Sequence, residues 1–261
     1  MISASQSKLI RSLRQKKYRE QHRLYVVEGH KMVTELMAGM SDGGHRIQQL
    51  FATGEWIQQN QLVLRQLEIK ASETTLDALK KISSMVTPQP VLVVVAIPER
   101  TLQLETLLKN PVLGFEAVRD PGNLGTIIRT ADWFGIHHII CSADSVDVYN
   151  PKVVQATMGA ITRVNVYYLD IKQLLLNSEL KKKTVYGTYL EGNNIYGMPM
   201  DQNPLILFGN ESQGLSHRYD QLIGKRISIP SFSRTGIGSE SLNLASSVAV
   251  VCSELRRAGT P

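Results

Sequence analysis

The 261-residue sequence has two cysteines, Cys141 and Cys252, both inside apolar runs. So few, so placed, they form no cysteine ligand cluster and read as small core residues of a protein kept in a reducing cytosol. The six histidines (His22, His30, His45, His137, His138 and His217) make no HxxxH pattern, and there is no CxxC, so no structural metal is expected. No apolar run is long enough to cross a bilayer, and there is no secretory h-region, which points to a cytoplasmic protein without a membrane partner. The phosphate loop GxxxxGK[ST] and the hydrolase elbow GxSxG are both absent. The stretch from Gly236 to Ser241 reads GxGxxS, not GxGxxG, and lies near the end of the chain instead of opening a βαβ unit. That argues against a nicotinamide-dependent oxidoreductase.

What the chain does have is apolar content of 43%, enough for a sizeable core, and a net charge of +6 with a pI near 9.3, which leans toward a polyanionic partner. The charge is concentrated. Residues 1–27 carry seven bases (Lys8, Arg11, Arg14, Lys16, Lys17, Arg19 and Arg23) against one acid, Glu20, so this arm alone is +6 and the remainder is close to neutral. Leu9, Ile10 and Leu13 are spaced to seat a short helix on a core, with Lys8, Arg11, Arg14, Lys16, Lys17 and Arg19 left outside as candidate phosphate contacts. A basic, serine-containing start without acids also bears a faint likeness to an organelle transit peptide.

The patterning divides the chain in two. Strand patterns at Leu24–Val27, Ile47–Ala52 and Val91–Ile97, with helical patterns around Val33–Met40 and from Ser72, describe a small α/β domain over residues 1–97. Residues 98–111, with proline at both ends, read as a linker. From residue 112 to 261 strands and helices alternate: strand Val112–Val118, helix Gly125–Phe134, strand His138–Ser142, helix Pro151–Gly159, strand Val164–Leu169, helix Ile171–Lys181, strands Val185–Leu190, Leu205–Phe208 and Arg226–Ile229, and a final helix Glu240–Arg257. Such alternation predicts an α/β fold with a mainly parallel sheet, whose ligands lie beyond the carboxyl ends of the strands.

Three polar, glycine-rich loops follow strands of this second part: "DPGNLGTIIRTA" from Asp120, "LFGNESQGLS" from Leu207, and "IPSFSRTGIGSESLNLASSVAVV" from Ile229. Turn chemistry alone would satisfy each glycine. Together and in this order, however, they resemble the three motifs of the SpoU/TrmH family of RNA ribose 2′-O-methyltransferases, within the SPOUT superfamily, over residues 112–257. "VVEGHKMVTELM" and "VTPQPVLVVVAIP" are similar to the substrate-binding domain of family members that modify ribosomal RNA, although Pro90 stands where the family often has glycine. The stretch between Ile229-Pro230 and Ser241 is longer than the family usually shows and carries the extra residues Ser231 to Thr235.

The resemblance implies a trefoil-knotted carboxyl-terminal domain and a homodimer. It implies S-adenosylmethionine framed by Leu207, Gly209, Ile229 and Leu242, and a catalytic group of Arg129, Asn123, Glu211, Ser241 and Asn243. Large-subunit rRNA is the implied substrate, with a transfer RNA, or an RNA-binding protein without chemistry, as the alternatives. Arginine keeps its proton above about pH 12, so Arg129 is expected to grip the RNA phosphate and orient the ribose hydroxyl, not to act as a literal base. Ser241 is placed to cap the last helix.

Overall fold

The computed structural model describes residues 2–40, 44–233 and 240–258. They group into two units, one of residues 1–99 and 147–163, the other of residues 100–146 and 164–261. The stretch 147–163, which contains the helix Pro151–Thr157 read above as part of the alternating half, groups with the first unit.

The first unit is built on a four-stranded sheet of β1 (Leu24–Glu28), β2 (Arg46–Ala52), β3 (Ala71–Glu73) and β4 (Val91–Ala96), in the order β1-β4-β2-β3. β4 is antiparallel to both its neighbours, and β3 is parallel to β2. Val91 to Val95 are all buried. A central strand covered on both faces selects such an unbroken apolar run, here mostly valine, over an alternating one. β3 occupies the stretch where the helical pattern was read as beginning, at Ser72; the helix itself spans Leu76–Ile82 behind its Thr75 cap.

The amino-terminal helix Ala4–Ser12 is started by a capping box. Gln6 N–H donates to Ser3 Oγ (3.1 Å), and Ser3 N–H donates to Gln6 Oε1 (2.9 Å). Ile10 and Leu13 pack with Phe51, Leu79, Ile82, Leu92 and Val94, as their spacing predicts.

The next helix, Lys16–His22, carries a correction. Arg19 is not an outward phosphate contact: it is 2% exposed, and its guanidinium donates to Asp147 Oδ2 (2.8 and 2.6 Å) and to the carbonyls of Leu13 and Arg14 (both 2.8 Å). A buried guanidinium is tolerable when a carboxylate and carbonyls consume its donors. Asp147 opens the segment 147–163, whose helix Pro151–Thr157 packs against β1, with Gln155 Nε2 donating to the Glu28 carbonyl (2.8 Å). Arg19→Ala leaves the half-buried Asp147 carboxylate and two carbonyls without their buried donor, so it is expected to lower the stability of this unit by about 3 kcal/mol. The check is the midpoint of urea unfolding. Arg11→Ala, at an exposed position, should leave that midpoint in place.

The second unit holds a six-stranded sheet of β5 (Val112–Phe115), β6 (His138–Cys141), β7 (Asn165–Tyr168), β8 (Val185–Asn194), β9 (Leu205–Phe208) and β10 (Lys225–Ser228). The order is β10-β8-β9-β5-β6-β7, and every pairing is parallel. All carboxyl ends therefore lie at one edge. The presumed linker is partly structured: residues Leu104–Lys109 form a helix whose Leu107 is buried with Val112, Ile140 and Leu205.

Cys141 and Cys252 are fully buried, and desolvation pushes both thiols up to about 12. The thiolate is the reactive form. The native protein at pH 8 is expected to resist alkylation by iodoacetamide at both positions and to take up two equivalents once denatured, as read by intact mass. No helix among the described residues is long and apolar enough to cross a membrane.

Candidate active site

β5 ends at Phe115, and the chain turns through Glu116 and Ala117 into a helix that begins at Pro121, four residues before the Gly125 expected from the apolar pattern. The reason is local. Asp120 is the N-cap and accepts from Asn123 N–H (2.7 Å), and proline at the first helical position has the required φ and no amide to leave unpaired. Asn123 is therefore a first-turn residue whose side chain projects from the carboxyl edge of the sheet.

There it joins the other two loops. Asn123 Nδ2 donates to Glu211 Oε1 (3.0 Å), and Asn243 Nδ2 donates to Asn123 Oδ1 (3.0 Å). One amide thus bridges all three motifs. Asn243 is held in turn by the last helix, Leu244–Ala258, because its Oδ1 accepts from the N–H groups of Ala245 (2.9 Å) and Ser246 (3.3 Å). Asn243, not Ser241, is the cap, and the helix starts four residues later than Glu240. Ser241 is exposed and takes no part in this bridge.

Arg129 lies one turn after the buried Gly125 on the Asp120-capped helix. It is exposed, and among the described residues its guanidinium makes no ion pair or hydrogen bond, Asp132 included. Helical side chains lean toward the amino terminus, so Arg129 reaches back along the Gly125 side toward the loop edge.

The second loop is a tight closed turn. Asn210 and Gly214 exchange two backbone hydrogen bonds (both 2.9 Å), and Gly214 sits at φ +69. A Cβ on Gly209 would fall 1.9 Å from the Gly214 carbonyl carbon, so no other residue fits there. Asn210, absent from the sequence reading, is the pin of this turn. Its Nδ2 donates to the Ala117 carbonyl (2.7 Å) and to Glu211 Oε2 (3.3 Å), while its Oδ1 accepts from Ser212 and Gln213 N–H. Ala117 is left-handed at φ 53, and its N–H is held by Ser142 Oγ (2.8 Å). Glu116, also unforeseen, is buried and accepts from Ser216 N–H (2.8 Å) while pairing with Arg218 (2.8 Å). The only sequence signal for either residue is a polar side chain directly after an apolar strand.

A further element of this edge lies in β8. Its register against β10 jumps from Gly187 opposite Arg226 to Asn193 opposite Ile227, so residues 188–192 bulge out of the pairing. Gly192 is required at the return, where a Cβ would meet the Arg226 and Ile227 backbone at 2.9–3.1 Å. Thr188 Oγ1 donates to the Leu207 carbonyl (3.1 Å). Tyr189 donates to Asp220 (3.0 Å) and stacks under Arg226 (4.6 Å). Desolvation, and then the hydrogen bond to Asp220, push the Tyr189 phenol up to about 12, which keeps it a neutral donor. Leu190, in the bulge, is left exposed.

Of the residues expected to frame a cofactor, Leu207 and Gly209 are buried, Ile229 is half-buried, and Leu242 is 52% exposed. Leu207 and Ile229 lie at or just past the carboxyl ends of β9 and β10, Gly209 directly follows β9, and Leu242 is next to Asn243. In the arm, Lys8, Arg11, Arg14, Lys16 and Lys17 are exposed as expected. Arg14 is partly committed, since it donates to the Ile82 carbonyl (3.4 Å) and to that of Ser83. Gly236 and Gly238 lie outside the described residues, as do residues 234 and 235 of the extended third loop.

Comparison with known proteins gives concordant findings. A model of the SpoU rRNA Methylase family matches residues 110–253, and a model of an MRM3-like substrate binding domain matches residues 5–93. The chain is 29% identical over 181 residues to the Bacillus subtilis 23S rRNA guanosine 2′-O-methyltransferase RlmP, covering 69% of this chain and 70% of that protein. A solved structure of a TrmH-family protein from Porphyromonas gingivalis superposes with a TM-score of 0.83 at 35% identity, covering 98% of this chain and 99% of that one. An AdoMet-bound rRNA methyltransferase from Sinorhizobium meliloti superposes with a TM-score of 0.80 at 27% identity, covering 98% and 97%.

Proposed function

Since the chain belongs to the SpoU rRNA methylase family, we propose that it methylates a ribose 2′-hydroxyl of large-subunit ribosomal RNA, using S-adenosylmethionine, at the edge where Asn123 bridges Glu211 and Asn243. That bridge is the observation that carries the reading. It gathers side chains from three loops up to 120 residues apart into one polar cluster, beside an arginine with no protein partner among the described residues.

When bound, S-adenosylmethionine supplies an electrophilic methyl group on a sulfonium. The residues fit such a ligand: Leu190 and Leu242 leave apolar faces open at this edge, suited to covering a flat adenine, and the Leu207–Gly209 and Ile229 backbone offers donors and acceptors beside them. The protein's own contribution is chiefly positioning. An in-line attack on a methyl group gains from a fixed approach angle and from a site in which charges cancel without rearranging solvent. Arg129 binds the RNA phosphate beside the target ribose, and its remaining donors face the hydroxyl oxygen as negative charge develops there. Glu211 has both carboxylate oxygens oriented by amide donors, from Asn123 and Asn210, and retains lone pairs for the hydroxyl proton. Ser241, beside the Asn243 cap, is the hydroxyl available to the ribose edge.

The first unit supplies the RNA grip through Lys8, Arg11, Lys16 and Lys17, with Arg14 adding charge where it is not tied down. The protein acts as a homodimer in the cytoplasm. The exposed Trp133, at the end of the Arg129 helix, supports a seam there, and two buried free thiols suit a reducing compartment.

The test is transfer of labelled methyl from S-adenosylmethionine into unmodified ribosomal RNA and, separately, transfer RNA. The expected result is label in ribosomal RNA that renders one linkage resistant to alkali. Label in transfer RNA alone would keep the chemistry and overturn the substrate, and label in neither would overturn both.

A further inference from the structure

An unused feature lies in the third loop. Phe232 is 79% exposed and meets Tyr196, itself 41% exposed, with ring centroids 6.2 Å apart and planes inclined by 36°. Neither ring belongs to the polar cluster above. Both stand just past the carboxyl ends of neighbouring strands, Tyr196 after β8 and Phe232 after β10. Tyr196 is well anchored: Ile195 beside it is fully buried and donates its N–H to the Ser228 carbonyl (3.0 Å), Tyr196 N–H donates to Asn194 Oδ1 (2.9 Å), and Gly197 turns the chain away at φ +76. On the Phe232 side, Ser233 N–H donates to Ser231 Oγ (3.3 Å) across the ring-bearing residue.

We infer that Phe232, backed by Tyr196, is a stacking platform for an unpaired base of the RNA substrate, next to the nucleotide whose ribose is methylated. This rests on the reading that the chain acts on RNA. Sequence-specific RNA enzymes engage splayed, unstacked bases, and aromatic faces receive them whatever their hydrogen-bonding edges. β8 and β10 lie one to three strand positions from β9 and β5, which carry Glu211 and Asn123. At the usual strand spacing that is about 5–15 Å across the edge, within reach of a neighbouring nucleotide. The Tyr196 hydroxyl makes no hydrogen bond to a described residue and is free to bond the sugar or phosphate of the same nucleotide. An aromatic pair with one open face and a polar rim suits a flat heterocycle better than a bulky aliphatic surface.

The test compares wild type with Phe232→Leu, which keeps an apolar side chain and removes the aromatic face, and with Phe232→Trp, which enlarges that face. Steady-state methyl transfer into an unmodified large-subunit rRNA transcript is expected to show KM for RNA raised roughly 5- to 100-fold by Phe232→Leu, near wild type in Phe232→Trp, with kcat at saturating RNA unchanged in both. S-adenosylmethionine affinity by calorimetry, and the sedimentation coefficient, should not move. The tryptophan in Phe232→Trp should also be quenched by short single-stranded RNA, beyond the quench of wild type. Leucine and wild-type KM values within twofold would overturn the platform, as would a loss confined to cofactor affinity or a change of oligomeric state, which would assign Phe232 to the cofactor or to a second copy. If wild type transfers no methyl to RNA, the functional reading fails by itself, and the tryptophan quench still decides the platform.

Discussion

Arg129→Ala is expected to lower kcat for methyl transfer into RNA by roughly 10²–10³-fold, the size of effect seen when one preorganised donor to developing negative charge is removed. The expectation follows from where the side chain stands. The Arg129 guanidinium is engaged by none of the described residues, so the folded protein loses no contact with it and stability should be unaffected. In the role proposed for it, everything it does is done to the substrate. Arg129→Lys should recover part of the loss, since an ammonium supplies charge without the planar fork that grips a phosphate through two parallel bonds. If the role is phosphate grip plus alkoxide stabilisation, alanine raises KM for RNA as well as lowering kcat, and raising the salt concentration narrows the KM difference as the electrostatic share of binding is screened. A variant that methylates within threefold of wild type would remove Arg129 from the reaction.

Asn123 carries the second large effect. Asn123→Ala severs both links, to Glu211 and to Asn243, and frees three loops that are otherwise held to a common geometry. A loss of about 10²-fold is expected, since misplacement by about an ångström is enough to cost that much. In activity the double variant Asn123→Ala with Asn243→Ala should be little worse than Asn123→Ala alone, because the two residues meet through one hydrogen bond, while its stability should fall by about 1 kcal/mol more as the last helix loses its Asn243 cap. Asn123→Asp is the sharper probe. It exchanges the amide donor for a second carboxylate 3.0 Å from Glu211 Oε1, and two carboxylates at that separation do not both ionise readily. This variant should be less active than alanine at the same position, because the two like charges push the loops apart. Activity equal to that of alanine, or above it, would show that Asn123 and Glu211 are not coupled in the working enzyme.

Much of this was legible before the structure. The unbroken apolar run of β4, the parallel alternation after residue 112 and the seating of Ile10 and Leu13 all follow from period and burial, which are local properties. The early start of the Arg129 helix was legible in principle, because Asp120 and Pro121 are a cap and a first-turn proline; the glycines that follow hid it. The same holds at the other end, where Ser241 stood out as a capping residue and Asn243 does the capping. Arg19 was not legible. Its spacing matches that of the exposed bases around it, and what sets it apart is a carboxylate 128 positions away. Asn210 and Glu116 were hidden for a related reason: their distant partners, the Ala117 carbonyl for Asn210 and the Ser216 N–H and Arg218 guanidinium for Glu116, are brought to them by the fold and leave no mark on composition. The β8 bulge was hidden as well, since its pattern up to Leu190 is that of an ordinary strand.

The grouping of residues 147–163 with the first unit bears on how such a protein can be taken apart. The backbone passes from one unit to the other three times, near residues 99, 146 and 163. No single scission yields two intact halves. A fragment ending near residue 97 would leave β1 without the helix Pro151–Thr157 and Arg19 without Asp147, while its complement would trail an orphaned amphipathic segment. Exchange of the first unit by simple end-to-end joining is therefore disfavoured: a replacement ending near residue 97 would have to supply its own counterparts of the helix Pro151–Thr157 and of Asp147.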